Sequence, residues 1–234
     1  MSGHSKWATT KRHKALVDAK RGAIFTKIGN QIAIVARSGV DPATNSALAM
    51  ILEKARQANM PKVNIDRALQ RAADKSAAAL LEETYEAYGP GGIGIIVEVA
   101  TDNKNRTMPE VRHTLEKNGG RMAEPGSVMF QFTRKGVIFT ASKGDEVMMA
   151  ALDAGAEDVA DEDDGTTIYT VAGDLAKVRT ALIEAGFEVS SAELQYVANN
   201  MMNVSEDTAP KVEKILDAVD ELDDVVAVHT NAEV

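Results

Sequence analysis

Residues 210–230 read PKVEKILDAVDELDDVVAVHT, and where this stretch goes decides the fold. Val212, Ile215, Leu216, Val219 and Leu222 recur at spacings of three and four, the stripe of an amphipathic helix. The VVAVHT run after it is short and β-branched, which reads as a strand. A terminal helix and strand need a sheet to join, and residues 93–133 offer half of one. In YGPGGIGIIVEVATDN, Ile93, Ile95, Val97 and Val99 alternate as a strand. TMPEVRHTLEKNGG reads as a helix, with Thr107 and Glu110 as a capping box, Met108, Val111 and Leu115 facing inward, and Gly119 as its stop. A second strand is expected near SVMFQF. The tail is therefore expected to return and complete this β-α-β sheet; the alternative is a tail packed on the segment in between.

That segment, residues 134–204, carries a fuller pattern. The strand GVIFTA precedes a helix over 145–154 that Gly155 ends. Two strands then meet across Asp164-Gly165, a dipeptide favoured in tight hairpins. The helix DLAKVRTALIEAG and a strand starting at FEV complete the order β-α-β-β-α-β, the ferredoxin-like split unit.

Residues 20–75 predict three short helices around a common core. Phe25, Ile28, Ile32 and Val35 form the first stripe, which Gly39 ends. Asp41-Pro42 offers a cap and a first-turn proline for a second helix, whose stripe is Leu48, Ile51, Leu52 and Ala55. Asn64 is expected to cap the third, with Ile65, Ala68, Leu69 and Ala72 packing. Helix-turn-helix fits two of these helices, as does any small bundle. The fold class is thus multidomain, α and α+β: an N-terminal small helical bundle and two α/β sheet domains, the second ferredoxin-like and inserted in the other. The expected boundaries are 1–75, then 76–133 plus 205–234, with 134–204 inserted.

Charge divides along the same lines. The chain of 234 residues has a net charge of −9, yet residues 1–75 hold 14 basic and 5 acidic residues and residues 76–234 hold 12 basic and 30 acidic ones. Such segregation points to a polyanion partner for the basic part. The sharpest concentration is MSGHSKWATTKRHKALVDAKRG, with Lys6, Lys11, Arg12, Lys14, Lys20 and Arg21, His4 and His13, and the only tryptophan, Trp7. Its apolar periodicity is weak, so it reads as an arm that orders when bound. Its cations can neutralise phosphates, and Trp7 can stack on a base or anchor the arm to the helical core. Neutralising about five phosphates on duplex DNA would give a slope of log affinity against log salt of roughly −4 to −5.

Other chemistries find little support. The absence of Cys excludes disulfides, thiolate zinc sites and a thiol nucleophile. No apolar run approaches the ~20 residues of a membrane span, and the N-terminus lacks a secretory h-region, so a soluble, cytoplasmic protein with no membrane partner is expected. GPGGIG, Gly89 to Gly94, matches a dinucleotide-binding spacing but precedes a strand where that motif must open a helix; it reads as a turn, even an interdomain hinge. In EDVADEDDG, placing Gly165 at loop position 6 of an EF-hand puts Ala160 and Val171 at ligand positions, which removes calcium. His113 falls opposite the buried stripe of its helix and His229 lies in the last strand, so no histidine pair has metal-ligand spacing. An RNA-recognition reading of residues 136–204 fails on 3 basic against 13 acidic residues and on missing aromatics. No cofactor, metal, catalytic residue or small-molecule substrate is expected.

The stretches GHSKW, DAKRGAIFTK, KARQANMPK, YGPGGIGIIVEVATDNKNRT, VRHTLEKNGG, DAGAEDV and EAGFEV closely resemble the YebC family, which includes the mitochondrial translational activator of cytochrome oxidase. The resemblance runs from residue 3 to the end. It implies a helical N-terminal domain and two α/β domains, one inserted in the other. It also implies a nucleic-acid-linked regulator, not an enzyme: members are described as DNA-binding transcriptional regulators, others as linked to ribosomes and to translation of proline-rich stretches. The partner is then DNA, or rRNA and tRNA, with the transcription machinery or the ribosome beside it; a protein-protein adaptor acting through the acidic domains is a third reading. The family's basic arm maps onto Lys6, Trp7, Lys11, Arg12, His13, Lys14, Lys20 and Arg21, with Lys27 following. Arg12-His13 reverses the family's usual order, and Ala47 and Ala49 stand where arginine is frequent.

Overall fold

The computed structural model describes residues 21–74 and 80–233. Within them lie two compact units, one of residues 132–197 and the other of residues 21–74, 80–131 and 198–233.

In the larger unit, α1 (Arg21–Val35) is the hub on which α2 (Ser46–Gln57) and α3 (Lys62–Ala73) both pack. Ile28, Ile32, Ala36, Leu48, Ala55, Met60 and Ala68 form their core. The caps differ from expectation. Asn45, not Asp41, starts α2: its side-chain oxygen accepts the Leu48 N–H at 3.0 Å, while its amide donates to the carbonyls of Val35 at 2.8 Å and Gly39 at 2.7 Å. One side chain thus serves the end of one helix and the start of the next. Asp41 instead closes a turn, accepting the Ala43 N–H at 2.9 Å. Likewise α3 begins at Lys62 behind Pro61, with no side-chain cap, so Asn64 lies inside it.

The sheet of this unit has the order β3 (Arg121–Met122), β1 (Leu81–Tyr88), β2 (Gly94–Thr101), β9 (Val225–Thr230). β1 (Leu81–Tyr88) and β2 (Gly94–Thr101) form a hairpin in which Leu81 faces Thr101 and Tyr88 faces Gly94. GPGG is therefore a tight hairpin loop inside one sheet, with Gly91 and Gly92 at φ of 78° and 82°, and not an interdomain hinge. Next come α4 (Lys104–Lys117) and β3 (Arg121–Met122), a two-residue edge. Asn103 caps α4 by accepting the Arg106 N–H at 3.2 Å, so the expected Thr107 capping box does not form; Thr107 is buried and Met108 is exposed. SVMFQF is not a strand of this sheet either. It forms a turn and a short 3-10 segment, Met129–Gln131, before Phe132 opens the next strand.

The tail does return: after the short β8 (Met202–Asn203), α7 (Ala209–Asp220) leads into β9 (Val225–Thr230), which pairs antiparallel with β2, Ile96 facing His229. β10 (Ala232–Glu233) then pairs with β8. Ile95, Val97 and Val99 pack with Val111 and Leu115 of α4 and with Val212, Ile215, Leu216 and Val219 of α7. Alternate residues of β2, including the buried Ile96 and Ala100, point to the other face. There α1 packs on β2 and β9. The sheet is thus covered on both sides.

The inserted unit runs β4 (Phe132–Thr140), α5 (Asp145–Ala154), β5 (Asp158–Glu162), β6 (Gly165–Val171), α6 (Leu175–Glu184) and β7 (Ser191–Ala198), with sheet order β5-β6-β4-β7. This is the ferredoxin-like arrangement. Gly155 ends α5 at φ 105°, as a left-handed cap should. The hairpin turn falls on Asp163 and Asp164, since Glu162 pairs with Gly165, one residue earlier than expected. Gly165 is needed for space: a Cβ there would lie 2.2 Å from the Thr140 carbonyl oxygen. The final strand begins at Ser191; residues 187–190 lead into it, with the Ser190 N–H donating to the Phe139 carbonyl at 2.8 Å. The acidic run has a structural use here. Asp161 accepts from the Thr166 hydroxyl and Glu162 from the Thr167 hydroxyl, each at 2.8 Å.

Candidate nucleic-acid interface

The helical segment is basic on its outside. Residues 21–74 hold eight basic side chains and four acidic ones. Burial of the apolar stripes against α1 leaves the polar faces of α2 and α3 outward. Arg56 is exposed and pairs with Glu53 at 3.0 Å, an i,i+3 contact of little consequence for stability. Lys62 and Arg67 are exposed on α3 and form no ion pair among the described residues. Lys62 occupies the first position of α3, where a cation opposes the helix dipole and an incoming phosphate would relieve it. Neither was singled out from the sequence; the signal was the KARQANMPK stretch and the overall excess of positive charge.

Three basic residues tie this segment to the rest of its unit. Lys27 lies under α1 with 13% of its side chain exposed, and its ammonium meets Asp220 at the end of α7 at 3.0 Å. Arg71 pairs with Asp102 at 3.1 Å and reaches Asn30 at 3.4 Å. Arg37 donates to the Leu80 carbonyl at 3.3 Å.

Behind Asp102 lies a tighter network. Arg106 bridges Asp224 at 2.8 Å and Asp102 at 3.3 Å. Thr101 donates to Asp224 at 3.2 Å, and the buried Thr107 hydroxyl also donates to it. Burial alone would raise the Asp224 pKa, but the hydrogen bond and charge of Arg106, with the two threonines, hold it below the ordinary carboxylate range.

Of the arm residues, Lys6, Trp7, Lys11, Arg12, His13, Lys14 and Lys20 lie outside the described residues. Arg21 opens α1, and Lys27 follows on the same helix, engaged with Asp220. His113 is exposed, and His229 is nearly buried with its Nε2 2.6 Å from Glu98. Among the described residues no cluster of His, Asp or Glu has the geometry to hold a metal ion, and no helix is long and apolar enough to cross a membrane.

Comparisons with known proteins cover the whole chain. Residues 5–75 match the TACO1/YebC protein N-terminal domain, and residues 80–232 match the TACO1/YebC second and third domain. A protein of Rhodococcus jostii named probable transcriptional regulatory protein is 48% identical over 240 residues, covering 100% of this chain and 96% of the relative. One from Desulforamulus reducens with the same name is 46% identical over 240 residues, covering 100% and 99%. The crystal structure of a conserved hypothetical protein from Aquifex aeolicus superposes with a TM-score of 0.87 at 37% identity, covering 92% of this chain and 91% of that one. With both family domains matched in order and relatives aligned from end to end, the chain belongs to the TACO1/YebC family.

Proposed function

We propose that this protein is a non-enzymatic, cytoplasmic regulator of gene expression that binds nucleic acid through residues 1–75, acting as a DNA-binding transcriptional regulator. The observation that carries this reading is the charge segregation: 14 basic and 5 acidic residues in 1–75 against 12 and 30 in the rest. Clustered cations attract a polyanion, and the acidic remainder as a whole repels it, so the leading third is the molecule's principal grip on phosphates. Lys6, Lys11, Arg12, His13, Lys14, Lys20 and Arg21 contact phosphates, and Trp7 stacks on a base or pins the arm. Lys62 and Arg67 extend the cationic surface, while Lys27 braces α1 at its base through Asp220. The names of the relatives from Rhodococcus and Desulforamulus support regulation of transcription.

Few of these groups can read base edges, so phosphate contacts set position and DNA shape supplies what selectivity there is. The test is crosslinking of the intact protein in cells, followed by sequencing of the attached nucleic acid. Enrichment of promoter duplex DNA is the expected result. Recovery of rRNA and tRNA alone would replace transcription by a ribosomal role, and recovery of no nucleic acid would leave the acidic domains as a protein-binding surface.

A further inference from the structure

The acidic part of the chain contains one cationic island. Five of the 12 basic residues in 76–234 fall between Lys104 and Arg121. Lys104 and Arg106 are used internally, by Glu83 and by Asp102 and Asp224. Arg112, Lys117 and Arg121 are exposed and pair with no carboxylate among the described residues. Glu110 and Glu116 are the carboxylates left on that stretch. Lys117 at the last turn of α4 complements the helix dipole; no such account covers Arg121 on the edge strand.

Arg121 borders a cleft of about 390 Å³, lined also by Tyr88, Gly89, Gly92, Gly119 and Gly120. Its guanidinium lies over the Tyr88 ring at 5.0 Å from the centroid, and the Tyr88 hydroxyl donates to the Ser127 carbonyl at 2.9 Å. The ring is thus fixed, and stacking on it holds the guanidinium in place before any ligand arrives. Two of these glycines are required by packing and two by backbone: a Cβ on Gly120 would lie 2.5 Å from Ile215 Cδ1 and one on Gly89 2.8 Å from Ile93 Cγ1, while Gly92 and Gly119 have φ of 82° and 84°. A Cβ on Gly91 would lie 3.2 Å from the Thr208 methyl, and Glu206 and Asp207 precede Thr208 in sequence.

The cleft lies away from the ion pairs that fasten the helical segment. Lys27–Asp220 and Arg71–Asp102 join that segment to the end of the sheet where β2 finishes. Tyr88, Gly89 and Gly92 lie where β2 begins, and the eight residues of β2 separate the two ends by roughly 25 Å.

We propose that the Arg121 cleft is a second phosphate-binding point, which takes a phosphodiester of the nucleic acid whose other end is held by the N-terminal segment. This rests on the nucleic-acid reading above. Arg121 and Lys117 each neutralise one phosphate, and the open backbone wall admits the sugar-phosphate chain without a side-chain clash. A nucleic acid that reaches from the fastened end of the helical segment to the cleft spans about 25 Å, about seven base pairs of duplex at 3.4 Å per pair.

The experiment compares the full-length protein with Lys117→Gln/Arg121→Gln by fluorescence anisotropy, on a labelled 30-base-pair duplex and a 6-base-pair duplex, across a salt series. On the longer duplex the variant should bind roughly tenfold more weakly at 0.1 M salt, with a log-log salt slope shallower by roughly 1 to 2. On the shorter duplex, which cannot bridge the two ends, it should match the parent. Arg121→Lys, which keeps the charge but not the stacked guanidinium, should recover part of the loss, which separates charge from damage to the sheet edge. A parent that binds the 30-mer and a variant that equals it in affinity and slope would overturn the second site and leave the N-terminal reading standing. A parent that binds neither duplex would sink both. Amide shifts of Gly92 and Gly120 on titration with adenosine monophosphate, absent with the 30-mer, would also overturn the proposal, since the phosphate would then come from a free nucleotide.

Discussion

Glu86 shows how one side chain can hide an element from a reader of the sequence. It is buried, and its carboxylate accepts three backbone N–H groups: Gly126 on one oxygen, and Val128 at 2.6 Å and Met129 at 2.7 Å on the other. Burial alone raises its pKa, but the three amides outweigh that and hold it below the ordinary carboxylate range. Its folded pKa is thus lower than its unfolded one. The stabilisation is present above the unfolded pKa and disappears as pH falls through the folded value. Asp224, lowered by Arg106 and its threonines, acts with the same sign. Glu86→Gln should cost about 2–3 kcal/mol at neutral pH, because a side-chain N–H₂ then faces backbone donors. In urea titrations, that difference should shrink on acidification below the carboxylate range. A difference that stays constant with pH would mean that the carboxylate is not the acceptor the amides require.

At the scale of elements, legibility followed period and failed where polar residues are buried. α7 and β9 were readable because their apolar spacing is strict: Val212, Ile215, Leu216 and Val219 are all buried. β1 was missed because LEETYEAY carries three glutamates, one of them the buried Glu86. SVMFQF misled in the opposite way, since its apolar residues suit a strand, yet Phe130 is 71% exposed on a 3-10 turn. Caps were misplaced because the residue that wins is the one that also satisfies a neighbour. Asn45 serves both α1 and α2, which Asp41 does not do. Asn45→Ala should therefore lower stability by about 1–2 kcal/mol, at the upper end for a cap, measured by thermal or urea unfolding. In the inserted unit, Gly165→Ala should cost about 1–3 kcal/mol or more, because the backbone oxygen of Thr140 cannot yield as a flexible side chain could. A stable Gly165→Ala variant would show that β4 and β6 are packed less closely than described.

At the scale of the molecule, the fold class was legible in full: helices first, then a sheet closed by the tail, with a ferredoxin-like unit inserted. The fastening of the helices to that sheet was not, because Lys27 and Asp220 are 193 residues apart and charge counts do not reveal which cations face inward. A double-mutant cycle on Lys27→Met and Asp220→Asn should give a coupling of about 1 kcal/mol, as both side chains are largely buried. The Arg121 cleft was equally hidden, since it joins the GPGG loop to a glycine pair 27 residues further on.

The central claim is that the cationic leading third is the principal grip on a polyanion. The most direct measurement is the salt dependence of binding to a 30-base-pair duplex, for the parent and for a folded variant with Lys11, Arg12, Lys14, Lys20 and Arg21 all changed to Gln. The account predicts a log-log slope shallower by about 4 in the variant, with most of the affinity at 0.1 M salt gone. Equal slopes and equal affinities would contradict it.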